Sequence, residues 1–297
     1  MKKILVIGDV HTEESSFAEL DSIFSEIVGA VRDVDQVWFL GDIFDHKHPS
    51  PAEYNFVTKW LTTFQKLGEV TVVTGNHDAI NFDYTAMDYS KHIGIKIYND
   101  QATMLVANKT VYLGHHATDQ GDKFVRDDKH KVSELKKFDL ALLGHLHNFH
   151  KLAPNVIHLG SIRRCTFGEV DYPPPCYAII EAETLKIDYR PIKTFIPMID
   201  VFSVKEALKQ PSRAKVRLIL RSFAEFMGNV NQLPTLQQKF ALFSVKHDYQ
   251  KVSEVIHAKE VMKKNQEQSF EMVFAKYLET IENQQVKTFL TQTWEEK

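Results

Sequence analysis

Apolar residues fall in short runs separated by stretches of helical spacing. The runs at 3–7, 36–40 and 70–73 predict buried β-strands. Between the first two, Phe17, Leu20, Ile23, Phe24, Ile27, Val28 and Val31 recur with a helical period. Between the second and third, Phe56, Val57, Trp60, Leu61 and Phe64 do the same within 54–67. Later strands are predicted at 110–113, 140–143 and 156–159, and a hairpin at 177–181 and 185–189. Strands with intervening helices imply crossover connections and a sheet covered on both faces.

The pattern changes past the stretch 191–197, with Pro191 and Pro197 at its ends. A strand at 214–222 and a helix at 235–243 suggest a small α+β module. Near the end, Phe270, Val273, Phe274, Tyr277, Leu278 and Ile281 return to helical spacing. Val286, Phe289, Leu290 and Trp294 continue that pattern. The expected parts are 1–194, a small α+β capping domain at 195–262 and a helical segment at 263–297. An apolar stripe on such a tail must be buried on its own domain or on a partner. Docking on a partner is the expectation.

Charge and composition narrow the classes. The net charge of −3 argues against a uniformly basic nucleic-acid coat. It leaves room for a nuclease, since a metal centre supplies positive charge locally. No apolar run reaches the ~18 residues of a membrane span, so no membrane association is expected. The first apolar run is short and stops at Asp9, which suits a first strand better than a signal peptide. Two cysteines are too few for a disulfide framework, so a reducing, cytoplasmic setting is expected. Cys165 is read as a small apolar residue.

Five apolar runs end in side chains that bind metals or move protons. They end in Asp9-Val10-His11, Gly41-Asp42-Ile43-Phe44-Asp45, Gly75-Asn76-His77-Asp78, Gly114-His115-His116 and Gly144-His145-Leu146-His147. Residues two apart in an extended segment point the same way, so Asp9 with His11, and His145 with His147, can present ligands together. Asp78 can hold His77 in one tautomer. Carboxylate, imidazole and amide oxygen suit Mn²⁺, Fe²⁺ or Zn²⁺. Asp9, His11, Asp42, Asn76, His115, His145 and His147 are too many donors for one ion. They suit two if a carboxylate bridges. Two ions roughly 3.5–4 Å apart are a device for phosphoester hydrolysis.

The five motifs, in this order and each after a predicted strand, resemble those of the calcineurin-like metallophosphoesterase superfamily. The resemblance implies an α/β fold, a four-layer αββα sandwich. It implies Asp9, His11, Asp42 and His147 on one ion, and Asp42, Asn76, His115 and His145 on the other. It implies that His77, with Asp78 behind it, acts at the scissile phosphate. Asp42 to Asp45 followed by Pro49-Ser50-Pro51, and Gly160-Ser161 with Phe167-Gly168-Glu169, look like the SbcD-type DNA repair nucleases. The short second domain and C-terminal helices resemble most the phage-encoded recombination nuclease subunits.

That resemblance implies a DNA exonuclease or endonuclease acting in repair or recombination. The implied cofactors are two Mn²⁺ per chain, with Mg²⁺, Fe²⁺ or Zn²⁺ as alternatives. The implied partners are DNA, an SbcC-type coiled-coil ATPase and a second copy of the chain, in the cell or in a phage-infected host's cytoplasm. Two departures stand out. Some family members carry a histidine where Asp45 stands, which leaves the balance of exonuclease and endonuclease action open. The family often has proline after Gly160-Ser161, whereas Ile162-Arg163-Arg164 follows here. Arg163 and Arg164 are candidate phosphate contacts. A small-molecule phosphodiesterase on the same core, or a non-catalytic repair scaffold, are the alternative readings.

Overall fold

The structure is a computed structural model that describes residues 2–81, 83–120, 130–221 and 223–247. The chain divides into two compact units, with the division between Ile196 and Pro197. The C-terminal stripe from Phe270 to Trp294 lies outside the described residues.

The first unit opens with β1 (Lys3–Ile7), α1 (Phe17–Ala30), β2 (Gln36–Phe39), α2 (Pro51–Gln65) and β3 (Glu69–Thr74). It continues through β4 (Lys96–Asn99), β5 (Gln101–Val106), β6 (Lys109–His115), a single turn α3 (Val132–Leu135) and β7 (Leu140–Gly144). Last come β8 (His150–Ala153), β9 (Val156–His158), β10 (Cys176–Glu181) and β11 (Ile187–Pro191). These strands build two sheets, one of six in the order β11-β10-β1-β2-β3-β4, the other of five in the order β5-β6-β7-β9-β8. β1, β2, β3 and β4 are parallel, and β10 and β11 close the edge as an antiparallel hairpin.

The continuous apolar runs are explained by burial on both faces. Along β1, Leu5 and Ile7 pack with α1 and α2, against Leu20, Phe24, Trp60 and Phe64. Ile4 and Val6 point the other way, into a core shared with Leu113, Leu142 and Ile157 of the second sheet. The far face of that sheet carries Tyr112, Ala141 and Leu143 under Val132 and Leu135 of α3. Helices, two sheets and a thin outer cover thus stack in layers, the mixed α/β sandwich expected from the sequence.

The α2 helix starts three residues earlier than its apolar period suggests. Ser50 accepts from the Glu53 amide at 3.2 Å while Glu53 accepts from the Ser50 amide at 2.7 Å, and Pro51 occupies the first helical position. This reciprocal cap satisfies amides that the helix itself cannot. The short strands β4, β5 and β8 were not legible as apolar runs, because all three are sheet-edge strands and carry exposed polar residues.

His158 in β9 is fully buried, and its Nδ1 donates to the Gly144 carbonyl at 2.9 Å. Burial pushes its pKa down to about 3. The unfolded chain therefore takes up a proton near pH 6.5 that the folded chain refuses, and stability falls as the pH drops from there toward 3. At pH 4.5 the loss relative to pH 7.5 is about 2–3 kcal/mol from this residue. Urea unfolding at both pH values should give a smaller pH-dependent loss for His158→Asn than for the wild type. Equal losses would show that His158 does not carry this effect.

The second unit holds β12 (Met198–Val201), α4 (Val204–Ala207), β13 (Lys215–Leu220), α5 (Phe223–Asn229), α6 (Leu233–Lys239) and β14 (Leu242–His247). Its strands form a parallel sheet in the order β12-β13-β14, with Val216, Leu218, Phe226, Leu233 and Leu236 in one core. The helix expected over 235–243 stops at Lys239, and Leu242 begins β14. Leu242 to His247 pairs with β13 in parallel register, so sheet formation overrides the local helical pattern. Among the described residues no helix is long and apolar enough to cross a membrane.

Candidate metal centre

The ends of β1, β2, β3, β6 and β7 converge at one place. The loop after β1 is knitted to the loop after β2, since the amides of Val10 and His11 both donate to the Asp42 carbonyl, at 3.0 and 2.8 Å. Asp9 at the first of these ends accepts from the His145 amide after β7, at 3.1 and 3.0 Å to its two oxygens. Asp42 accepts from the His77 amide after β3 at 2.9 Å. Each loop therefore holds the next one's backbone, and the side chains inherit fixed positions.

Three of the expected ligands sit in left-handed backbone. His11 has φ 51°, Asp42 φ 45° and His145 φ 79°. The pairs Asp9 with His11 and His145 with His147 thus do not converge by strand alternation, as the sequence suggested. The chain turns sharply at the second or first member of each pair instead. Such backbone costs roughly 1–3 kcal/mol per residue and persists where the surroundings over-determine it. Glycines make room beside it: a Cβ on Gly75 would lie 2.1 Å from Asp42 Oδ1, and one on Gly41 2.2 Å from His115 Nδ1.

All seven expected ligands meet in this cluster. Asp9, His11, Asp42 and His115 are buried, and Asn76, His145 and His147 form a more open edge. Asp42 lies between the two halves, with Oδ2 at 3.6 Å from His11 Nε2 and 3.1 Å from His115 Nε2. Asn76 Oδ1 faces His115 Nε2 at 3.2 Å and His145 Nδ1 at 3.1 Å. The donor set of oxygens and imidazoles fits hard-to-borderline divalent ions. A further observation supports the fit. His11 is 2% exposed, yet its Nε2 has no hydrogen-bond partner among the described residues.

The imidazoles are oriented from behind. His115 Nδ1 donates to the Leu40 carbonyl at 2.7 Å, and His147 Nδ1 to Glu169 Oε1 at 2.8 Å. A carbonyl can only accept, so His115 presents Nε2 to the site. Burial opposes a charged His115, but the carboxylates of Asp42 and Asp9 outweigh it and raise its pKa to about 10. Burial likewise opposes ionisation of Asp42, and the imidazoles of His115 and His11 hold it well below the usual carboxylate range. The cluster is thus a place that stabilises positive charge.

His77 stands at the half-open edge, its ring edge-on to His11 with centroids 4.9 Å apart. Its Nδ1 donates to the Asp45 carbonyl at 2.5 Å, and Nε2 has no hydrogen-bond partner among the described residues. Asp78, expected behind His77, does another job. Its buried carboxylate accepts the amides of Gly75, Phe44 and Ile43 at 2.9, 3.0 and 3.2 Å. The side chain is short and points under the loop, so it staples the Asp42 loop to the Asn76 loop, and Asp45 orients His77. Asp45 also places Oδ1 3.2 Å from His11 Nδ1.

Arg163 and Arg164 are buried and turned to the chain's own oxygens. Arg163 donates to the carbonyls of Val10 at 3.2 Å and His11 at 2.6 Å. Arg164 donates to the carbonyls of Tyr172 and Pro173. These contacts replace the phosphate contacts expected of them. His116 lies outside the ligand cluster, bonded to the Tyr112 hydroxyl at 2.8 Å and stacked on His130.

For two residues the sequence reading gave no role at the cluster. Glu169 is the partner of His147, and Cys165 comes within ligand range of His11 and His147. The capping-box signal Thr166-Phe167-Gly168-Glu169 was available for the first. Nothing local marks the second.

Residues 1–185 match the family model described as the calcineurin-like phosphoesterase superfamily domain. Over 138 residues the chain is 25% identical to the uncharacterized protein MJ1445 of Methanocaldococcus jannaschii, covering 42% of this chain and 74% of that one. Among solved structures, the hypothetical protein PH1004 of Pyrococcus horikoshii superposes with TM-score 0.41 at 14% identity, covering 65% of this chain and 88% of the other. Vps29 of Entamoeba histolytica, solved with zinc, gives TM-score 0.37 at 18% identity, covering 65% and 99%. The nuclease MPE of Pseudomonas putida gives TM-score 0.32 at 18% identity, covering 63% and 87%.

Proposed function

The chain belongs to the calcineurin-like phosphoesterase superfamily, and from that premise we propose that it is a metal-dependent DNA phosphodiesterase, the nuclease subunit of an SbcCD-like repair or recombination complex. The observation that carries the hydrolytic part is the convergence of seven donors beneath a half-open edge where His77 Nε2 has no hydrogen-bond partner among the described residues. Asp9, His11, Asp42 and His147 would hold one ion, and Asp42, Asn76, His115 and His145 a second. A divalent pair, when bound, supplies charge to the phosphoryl oxygens and a nucleophile at neutral pH.

The chain's own residues do the rest. The buried floor of Asp9, His11, Asp42 and His115 keeps the ligands in place without reorganisation. Asn76, His145 and His147 border the open edge where a phosphodiester would land. His77, with Nδ1–H fixed by the Asp45 carbonyl, carries any second proton on Nε2 and passes it to the leaving oxygen. Asp45 is therefore a positioning residue for His77.

DNA as substrate is supported by the motifs shared with SbcD-type nucleases and by the second unit, which a small-substrate enzyme does not need. A coiled-coil ATPase, with the segment 263–297 as its docking element, and a second copy of this chain are the partners of that reading. The test is Mn²⁺-dependent cleavage of linear duplex, single-stranded and hairpin DNA, with and without a co-expressed coiled-coil ATPase. Bis-p-nitrophenyl phosphate serves as a small diester control. Cleavage of DNA that the ATPase stimulates is the expected result. Turnover of the small diester with none of the DNA substrates would replace the nuclease reading by a small-molecule phosphodiesterase.

A further inference from the structure

We infer that Cys165 is a thiolate ligand to the ion that His11 and His147 hold, so that this half of the centre is a mixed nitrogen, oxygen and sulfur site. The inference rests on the two-metal reading above and adds to it a donor that the ligand set did not contain. One ring nitrogen each of His11 and His147 and the sulfur of Cys165 all lie within 4.8 Å of one another.

The placement of that sulfur is built by its neighbours. Glu169 is buried and divides its carboxylate between the two sides of the group. Oε1 accepts from His147 Nδ1 at 2.8 Å, and Oε2 accepts from the Cys165 amide at 3.0 Å. The Thr166 amide and hydroxyl also donate to Oε1, at 3.2 and 3.1 Å. Two residues ahead, Arg163 clamps the carbonyls of Val10 and His11, and Ser161 Oγ holds the Arg163 carbonyl at 2.6 Å. The segment 161–169 is therefore laced to the backbone of His11 at one end and to the ring of His147 at the other. Cys165 lies between the two ties.

His11 supplies a second, independent observation. It is 2% exposed; Nδ1 faces Asp45 Oδ1 at 3.2 Å, and Nε2 has no partner within hydrogen-bond distance among the described residues, Asp42 Oδ2 lying 3.6 Å away. A buried polar group in that state calls for a partner. His147, packed with its ring centroid 4.6 Å from that of His11, has Nδ1 occupied by Glu169, so Nε2 is the nitrogen left for the same space. One nitrogen of each ring and the sulfur lie within ligand reach of one another, the spacing of a coordination group.

On binding, the Cys165 S–H bond breaks, its proton passes to solvent, and sulfur donates a pair to the cation. A thiolate shifts preference toward Zn²⁺, Fe²⁺ or Co²⁺ and away from Mg²⁺. The second half of the centre, with Asn76, His115 and His145, has no sulfur among its donors. The two halves should therefore differ in metal choice.

Cobalt tests this directly. Wild type and Cys165→Ser are stripped with chelator, loaded with Co²⁺, and compared for metal content and absorption. The expected result is bound cobalt in both, with a sulfur-to-cobalt charge-transfer band in the near ultraviolet for the wild type alone. Losing a metal-site partner typically weakens binding by roughly 10–100-fold, and the Zn²⁺ affinity of the variant should fall by at least that range. Matching spectra from two cobalt-loaded proteins would remove Cys165 from the site and leave the metal centre standing. A wild type that binds no cobalt would sink the metal centre and this inference together. Alkylation of the unmutated protein gives a readout that needs no variant. Saturating Zn²⁺ should slow labelling of Cys165 and leave Cys176 unchanged, and equal labelling with and without Zn²⁺ would overturn the assignment.

Discussion

Asp42→Asn should strip both ions from the enzyme and lower hydrolysis by ~10³-fold or more. Asp42 is the residue between the two halves, within 3.6 Å of His11 and 3.1 Å of His115. Its carboxylate is ionised despite burial, because those imidazoles favour the charged form. An amide has the same shape, one acceptor oxygen instead of two, and no charge, so it cannot serve both halves. Asparagine tolerates the left-handed backbone found here, φ 45°, so the fold should survive. Elemental analysis after Mn²⁺ soaking should find two ions per wild-type chain and fewer than one in the variant, at an unchanged circular dichroism spectrum. A wild type with a single ion would refute the two-metal assignment. A variant that keeps both ions would refute the bridging role.

His77→Gln should separate chemistry from binding. Glutamine can still donate to the Asp45 carbonyl, but it has no proton to give a leaving oxygen. DNA cleavage should therefore fall by roughly 10²-fold or more, the usual contribution of a general acid. Metal content and DNA affinity should stay at wild-type values. The loss should be much smaller for bis-p-nitrophenyl phosphate, because p-nitrophenolate leaves without protonation. Metal loss in the variant would place His77 among the ligands. An equal loss on both substrates would show that His77 does not act on the leaving group.

Much of this centre could be read from the sequence, for a physical reason. A strand buried on both faces is a short unbroken apolar run, and a helix covering it repeats every three or four residues. Where those runs stop, the first polar residues must lie at the sheet's edge. Asp9, Asp42, Asn76, His115 and His145 all stand within three residues of a run's end. Their meeting therefore followed from strand positions alone. Local pattern failed where sheet pairing decided, as in β14, where Leu242 and Phe243 fit the expected helix but pair with Lys215 and Val216.

What the sequence determined by itself is the alternation of strands and helices and the chemical type of the donors at the strand ends. Only the tertiary structure decided how those donors are aimed. The partner of His115 is a carbonyl 75 residues away, and the partner of Asp9 an amide 136 residues away. No local period encodes such pairings. The left-handed turns at His11, Asp42 and His145 are held by neighbouring loops, and no local period marks them. The same reason moved Asp78 from His77 to three amides, and moved Arg163 from an expected phosphate to the carbonyls behind His11. It also placed Cys165, which reads as a small apolar residue along the chain, beside two imidazoles. A side chain's chemistry is set by its own atoms, but its partner is set by whichever distant loop packing brings within about 3 Å of it.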